Sequence, residues 1–335
     1  MVPETRVPAP PEGLAATVLP SVIEVSWTNP TRRVDGSPIR DLAVVRLYRH
    51  VDAGESEPKP AIRTGDTVVG YTPLGRIDLQ HAQDRPPDTS VVGNQVRWVD
   101  RAELSAGRRY TYVATASDST GRTSAPSPRL SVVYITAPAP PTGLEGQPGE
   151  RQVTLSWLAP AALSDGSPLS GTIAYQVLRS PGPDIALAPI SPTPVAEPSY
   201  TDTNLENDQA YSYAVVALRS DAGGVAQSAP STTIVVTPRD MTPPSPPAGL
   251  VAIPSPGTVR LAWNANSEPD VAGYVVYRRG TAGRVARVGR VTAPGTTFTD
   301  RDVPSGRYDY HVTAVDSGAI PNESSPSEVV NVDVP

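Results

Sequence analysis

The sequence predicts an all-β chain of three similar sandwich domains in tandem, and three observations carry that prediction. First, Pro-Pro-x-Gly-Leu followed by Trp occurs three times. Pro10–Leu14 leads to Trp27, Pro140–Leu144 to Trp157 and Pro246–Leu250 to Trp263, with 13 positions from Leu to Trp in each case. A fixed recurrence of about 100 residues marks an array of one structural unit. Second, the segments ending on each Trp alternate apolar and polar residues, which gives a strand one buried and one wet face. Third, 40 Pro and 26 Gly fall at regular places between apolar runs. That distribution suits many short strands joined by turns better than it suits a disordered chain.

The elements then align in order. The Trp strands are Val22–Trp27, Val153–Trp157 and Val259–Trp263. A turn follows as Asp35-Gly36-Ser37-Pro38 and Asp165-Gly166-Ser167-Pro168, shortened in the third repeat to Glu268-Pro269-Asp270. The next strand puts Val45 and Leu47, Tyr175 and Val177, or Tyr274 and Val276 on one face. An aromatic-x-Asp element recurs as Trp98-Val99-Asp100, Tyr200-Thr201-Asp202 and Phe298-Thr299-Asp300. Tyr-x-Tyr comes next: Tyr110/Tyr112, Tyr211/Tyr213 and Tyr308/Tyr310. Leu104 and Leu205 precede the first Tyr by six residues and Val303 by five. Each repeat closes with Ser-x-Pro-Ser (Ser124–Ser127, Ser228–Ser231, Ser324–Ser327) and a Val/Ile-rich strand.

Seven short strands with these landmarks resemble the fibronectin type III family over nearly the whole chain. The resemblance implies immunoglobulin-like sandwiches of a three-stranded and a four-stranded antiparallel sheet. It makes Trp27, Trp157 and Trp263 the core centres. It also makes Tyr110, Tyr211 and Tyr308 tyrosine corners, each hydroxyl bonded to backbone in the loop that begins at Leu104, Leu205 or Val303. The implied domains are 1–137, 138–240 and 241–335. Proline restricts both itself and the residue before it, so the links Thr136–Ala139 and Thr237–Pro244 read as semi-rigid spacers. The longer second link is expected to bend more.

The first repeat breaks the pattern. From Leu47 to Trp98 it takes 51 residues, where the equivalent steps take 23 (Val177 to Tyr200) and 22 (Val276 to Phe298). The insertion, about residues 51–95, opens with the polar run Asp52–Pro60 and reads as a hairpin over Val68–Leu79 turning at Thr72–Gly75, with a second turn at Asp84–Asp88. Long surface insertions are tolerated and often functional. One reading is a hairpin that only extends the sheet edge. The other places Tyr71, Leu74, Arg76 and Ile77 on a contact surface for a protein partner. On the second reading, removing Thr67–Leu79 abolishes binding and leaves three folded domains.

Composition excludes more than it assigns. The chain has no cysteine, hence no disulfide, thiolate metal site or cysteine nucleophile. Its net charge of −6 disfavours nucleic acid and anionic membrane as partners. Lys59 is the single lysine among 28 Lys and Arg, which reads as genomic base composition and a bacterial source. No catalytic, phosphate-binding or dinucleotide motif and no EF-hand loop is present, so neither catalysis nor a cofactor is expected. His50 and His311 lie in strands, the latter facing away from the core and solvated. His81 lies near Asp78 and Asp84 in a loose set that spacing alone does not make a metal site. Arg-Gly-Asp is absent, since Arg63-Thr64-Gly65-Asp66 carries an extra residue, and the single sequon is Asn322-Glu323-Ser324.

No apolar run approaches the roughly 20 residues of a spanning helix. The opening Met1–Arg6 has no apolar signal core, so export with a removed leader is expected. Within the family, Arg6-Val7-Pro8-Ala9-Pro10 resembles the start of the mature part of bacterial envelope fibronectin-type-III lipoproteins, without their lipidated Cys. That implies a non-catalytic scaffold or adaptor outside the cytoplasm, with membrane contact only through a lipid anchor. A second class is a glycan-associated accessory module of a secreted carbohydrate-active enzyme. Tyr48, Tyr71 and Tyr277 are the aromatics left for such a surface, and they form no evident platform. A third is a filament subunit exchanging edge strands through the unpaired segment Val2–Pro11.

Overall fold

The computed structural model describes residues 6–182, 184–280 and 283–335. Met1 to Thr5, and with them the start of the proposed exchange segment, lie outside the described residues. The rest of that segment is paired within its own domain. Pro8 bridges Arg33, the Ala9 amide donates to the Arg32 carbonyl at 3.0 Å, and the Val34 amide donates to Val7 at 3.1 Å.

Domain 2 shows the shared plan most plainly. Its strands are β11 (Thr142–Gly149), β12 (Gln152–Leu158), β13 (Thr172–Ser180), β14 (Ala188–Pro189), β15 (Ser199–Thr203), β16 (Tyr211–Asp221), β17 (Gly224–Gln227) and β18 (Ile234–Val236). One sheet runs β11-β12-β15; the other runs β14-β13-β16-β18, with β17 folded back on the far end of β16. Domain 3 repeats it with β19 (Val251–Ser255), β20 (Thr258–Ala262), β21 (Val271–Arg279), β22 (Val285–Thr292), β23 (Thr297–Arg301), β24 (Gly306–Asp316) and β25 (Val330–Val334), as β19-β20-β23 against β22-β21-β24-β25. This is the predicted three-on-four sandwich.

Domain 1 departs from it. Its strands are β1 (Glu12–Leu19), β2 (Val22–Thr28), β3 (Leu42–Asp52), β4 (Arg63–Thr64), β5 (Thr67–Val68), β6 (Thr72–Asp78), β7 (Thr89–Val92), β8 (Gln95–Asp100), β9 (Arg109–Asp118) and β10 (Leu130–Val133). The inserted β7 pairs with β8 and makes the first sheet four-stranded, β1-β2-β8-β7, against β10-β9-β3-β6. The predicted hairpin over Val68–Leu79 is not formed. Thr72–Asp78 is one continuous strand paired along β3, and the tight turn lies earlier, between β4 and β5. Pro73 and Gly75 suggested a turn, but Gly75 is small for another reason. A Cβ there would lie 2.1 Å from the Trp98 ring.

Each core centres on its Trp, with Trp27, Trp157 and Trp263 at 1%, 4% and 5% exposure. In domains 2 and 3 the Trp meets Tyr175 or Tyr274 edge-on at 5.3 Å; domain 1 has Val45 there and draws in Trp98 instead. The Ser-x-Pro-Ser signature has a physical role. Proline interrupts the ladder beside the Tyr-x-Tyr strand, and the two serine hydroxyls stand in as acceptors. Ser124 and Ser127 accept the Ala116 and Ala114 amides, Ser228 and Ser231 those of Ala217 and Val215, and Ser324 and Ser327 those of Ala314 and Val312. Buried backbone donors are thereby satisfied where proline prevents regular pairing.

Candidate functional site

The aromatic-x-Asp and Tyr-x-Tyr elements converge, three times over, on one cluster. In domain 1, Arg49 donates to Asp100 at 2.9 Å and Tyr112 donates to the same carboxylate at 2.8 Å, while the Arg49 guanidinium lies 5.5 Å from the centre of the Tyr110 ring. Arg179, Asp202, Tyr213 and Tyr211 repeat this in domain 2, and Arg278, Asp300, Tyr310 and Tyr308 in domain 3. Burial, and then the adjacent carboxylate, push the Tyr112 phenol well above its ordinary range. A buried carboxylate held by guanidinium and phenol is an ion pair that ties the two sheets together, a structural cluster whose arginine is partly exposed in domains 2 and 3.

The tyrosine corners form in two domains. The Tyr110 hydroxyl accepts the Ser105 amide at 2.7 Å and Tyr211 accepts Glu206 at 3.1 Å. Tyr308 is the exception: its loop is one residue shorter, and its hydroxyl has no hydrogen bond among the described residues.

The domain 1 insertion is a strap across the outer face of the β10-β9-β3-β6 sheet. Tyr48 and Val113 project from that face, and Val68 and Tyr71 cover them in a second small core with Ala61 alongside. Tyr48 donates to the Asp66 carbonyl at 2.8 Å and Tyr71 to the Lys59 carbonyl at 2.6 Å; burial raises the Tyr71 phenol. Polar groups of the insertion meet nearby arginines: Asp52 with Arg109 at 2.9 Å, Asp66 with Arg46 at 3.9 Å, and the Pro58 carbonyl with Arg129.

The four residues expected on a contact surface are thus divided. Tyr71 is 7% exposed inside the strap core and Ile77 is 0% exposed in the main core, so neither is a surface residue. Leu74 is half-buried against the main core, and Arg76 alone faces solvent, 3.3 Å from Asp78. Removing Thr67–Leu79 would delete a whole strand together with Ile77, so the expectation of a folded deletion variant is corrected.

Asp78, His81 and Asp84 do come together, with ligand atoms within 4.8 Å of one another. Their geometry is that of a closed turn. One Asp78 oxygen accepts the His81 amide at 2.9 Å and the Gln80 amide at 3.0 Å; the first of these bonds leads in lowering its pKa, and Arg76 approaches the other oxygen. Tyr48 and Tyr71, left over for a glycan surface, are buried together. His311 faces away from the core as expected but is stacked on Tyr277 rather than freely solvated, and burial lowers its pKa. The sequon side chain Asn322 is engaged, donating to Asp316 at 2.8 Å and to the Asp240 carbonyl at 3.1 Å.

Sequence reasoning missed the junction between domains 1 and 2. Val18 of β1 pairs in parallel with Ala226 of β17, and Ala226 is 0% exposed within the core of domain 1. Beside it, a Cβ on Gly224 would lie 2.7 Å from the Val133 carbonyl. Arg219, buried, donates to the Thr136 carbonyl of the link at 2.9 Å and to Ser170. Leu19, Val22, Glu24 and Arg97 of domain 1 face Gln227–Pro230 of domain 2 across a shallow groove. The junction of domains 2 and 3 is built differently, from hydrogen bonds at its rim. Glu150 accepts the Met241 amide at 2.6 Å, a bond that leads in lowering its pKa, and Asp208 accepts the Ala319 amide at 3.3 Å.

No family model matches the chain. It is 30% identical over 346 aligned residues to Exoglucanase B of Cellulomonas fimi, an alignment covering 98% of this chain and 26% of that protein, so the chain spans about a quarter of its relative's length. A crystal structure of the chicken CNTN1 FN1-FN3 domains aligns over 98% of this chain and 99% of that one, at 17% identity and a TM-score of 0.31. By the order of its strands and its thrice-repeated clusters, the chain is a tandem array of three fibronectin type III-like β-sandwiches.

Proposed function

We propose that the chain is a non-catalytic extracytoplasmic scaffold that holds what flanks or binds it at a set spacing. The observation that carries this reading is the first junction, where a residue of domain 2 completes the core of domain 1. Such a contact resists rotation in a way that a linker between two closed domains does not. The similarity to part of Exoglucanase B favours one form of the scaffold, an accessory region of a secreted carbohydrate-active protein. The resemblance to envelope lipoproteins supports another, in which a lipid anchor holds the array at a membrane.

Small-angle scattering of the purified chain tests the shared claim. A scaffold gives a distance distribution that is insensitive to salt and moderate warming; a profile that broadens like a string of free beads contradicts it. Co-sedimentation with insoluble glucans and detergent partitioning of the native protein separate the two forms.

A further inference from the structure

The three domains can be compared at one position on the outer face of the sheet that contains the Tyr-x-Tyr strand. In domain 1 it is Tyr48 across from Val113, in domain 2 Leu178 across from Ala214, and in domain 3 Tyr277 across from His311. Domain 1 covers this position with its own strap. Residues 52–71 bring four acidic side chains (Asp52, Glu55, Glu57, Asp66) and two basic ones (Lys59, Arg63), and set Val68 and Tyr71 over the Tyr48–Val113 pair.

Domain 3 has the same kind of face and no strap over it among the described residues. Tyr277 and His311 stack at 5.0 Å and 13°, with Tyr277 donating to Glu323 at 2.7 Å. Beside them β22 is an edge strand. It puts Arg287 opposite Tyr277 and Arg290 opposite Val275. Both arginines are exposed, and neither side chain makes an ion pair or hydrogen bond among the described residues. Arg279, by contrast, is held by Asp309 at 2.9 Å. Two unpaired cations next to an aromatic pair, in a chain of net charge −6, are complementary to a ligand carrying both carboxylates and an apolar or aromatic group. Like charges on the edge also disfavour pairing with a second copy of this chain.

We propose that the outer face of domain 3, along β21, β22 and β24, binds an extended acidic segment of another polypeptide. The segment sets its carboxylates against Arg287 and Arg290 and an apolar or aromatic side chain against Tyr277 and His311, as the strap does within domain 1. This goes beyond the scaffold reading by assigning the array a docking surface and a partner chemistry.

The test is an NMR titration of the full ¹⁵N-labelled chain with a glutamate–tyrosine copolymer, with inorganic polyphosphate as a purely anionic comparison. The copolymer is expected to shift resonances of β21, β22 and β24. Arg287→Glu with Arg290→Glu, both exposed and foldable, is expected to weaken it about tenfold, as the loss of two exposed ion pairs implies. Tyr277→Ala is expected to weaken the copolymer and leave polyphosphate unchanged. Absence of binding, full binding by the double variant, or polyphosphate binding as tightly as the copolymer would overturn the proposal. Scattering reads the fixed geometry of the array separately, so a failed titration leaves the scaffold reading standing.

Discussion

Val18 pairs with Ala226 across a domain boundary, and Ala226 is buried in a core that belongs otherwise to domain 1. The short β17 therefore serves two domains, hydrogen-bonded to β16 on one side and bridged to β1 on the other. Sheets that would end at the boundary run through it, and domain 1 is incomplete without its neighbour.

The close approach of Gly75 to Trp98 recurs in domain 3, where a Cβ on Gly289 would lie 2.2 Å from the Phe298 ring. Gly75→Ala and Gly289→Ala are each expected to destabilise only their own domain, by about 1–3 kcal/mol as overpacking does. Hydrogen exchange resolved by domain checks this. Unchanged protection in both variants would show that the rings move aside freely.

The two corner tyrosines and the third differ in hydroxyl partners, so removing the hydroxyl separates them. Tyr110→Phe and Tyr211→Phe are expected to cost about 0.5–1.5 kcal/mol, the net worth of a hydrogen bond, while Tyr308→Phe costs nothing measurable. Denaturant unfolding followed by domain-resolved exchange distinguishes the three.

Asp118 is fully enclosed beside Arg33 at 2.8 Å and Arg122 at 2.9 Å. Burial alone raises its pKa, but hydrogen bonds from Arg33, Thr120 and the Arg122 amide outweigh it and hold the pKa at about 2 against an ordinary 3.8. A depressed folded-state pKa gives stability that is complete above 3.8 and lost as pH falls through about 2. The stability difference between the native chain and Asp118→Asn should therefore be largest near neutrality and shrink below pH 3.8. A difference independent of pH would show that charge is not the cause.

Glu103, Asn204 and Asp302 occupy equivalent places with positive φ of 47°, 60° and 54°. Asn tolerates that region and Glu does not, so Glu103→Asn is expected to stabilise domain 1 by about 0.5–1 kcal/mol. A lowered melting temperature would contradict the reading of Glu103 as strained.

Much of this fold was legible because its cluster residues come from short, spaced motifs: the Trp, the aromatic-x-Asp, the Tyr-x-Tyr and the paired serines each hold an equivalent place in three domains. The insertion was misread because Pro73 and Gly75 carry turn propensity, whereas a ring 23 residues further along the chain, Trp98, decides that Gly75 sits in a strand. The junction was invisible because nothing about Val225-Ala226-Gln227 distinguishes a residue buried in a neighbour's core from one buried in its own. Tyr277 was visible as a spare aromatic, but its stacking on His311 depends on the register of β21 and β24.

The most direct measurement uses the absence of cysteine from the chain. Spin labels at Val92→Cys in domain 1 and Leu158→Cys in domain 2, both exposed positions, report the distance between these domains by electron paramagnetic resonance. A fixed junction gives one narrow distribution that broadens when Ala226→Asp puts a carboxylate into the domain 1 core. A distribution that is broad in the native chain and unchanged by Ala226→Asp would contradict it.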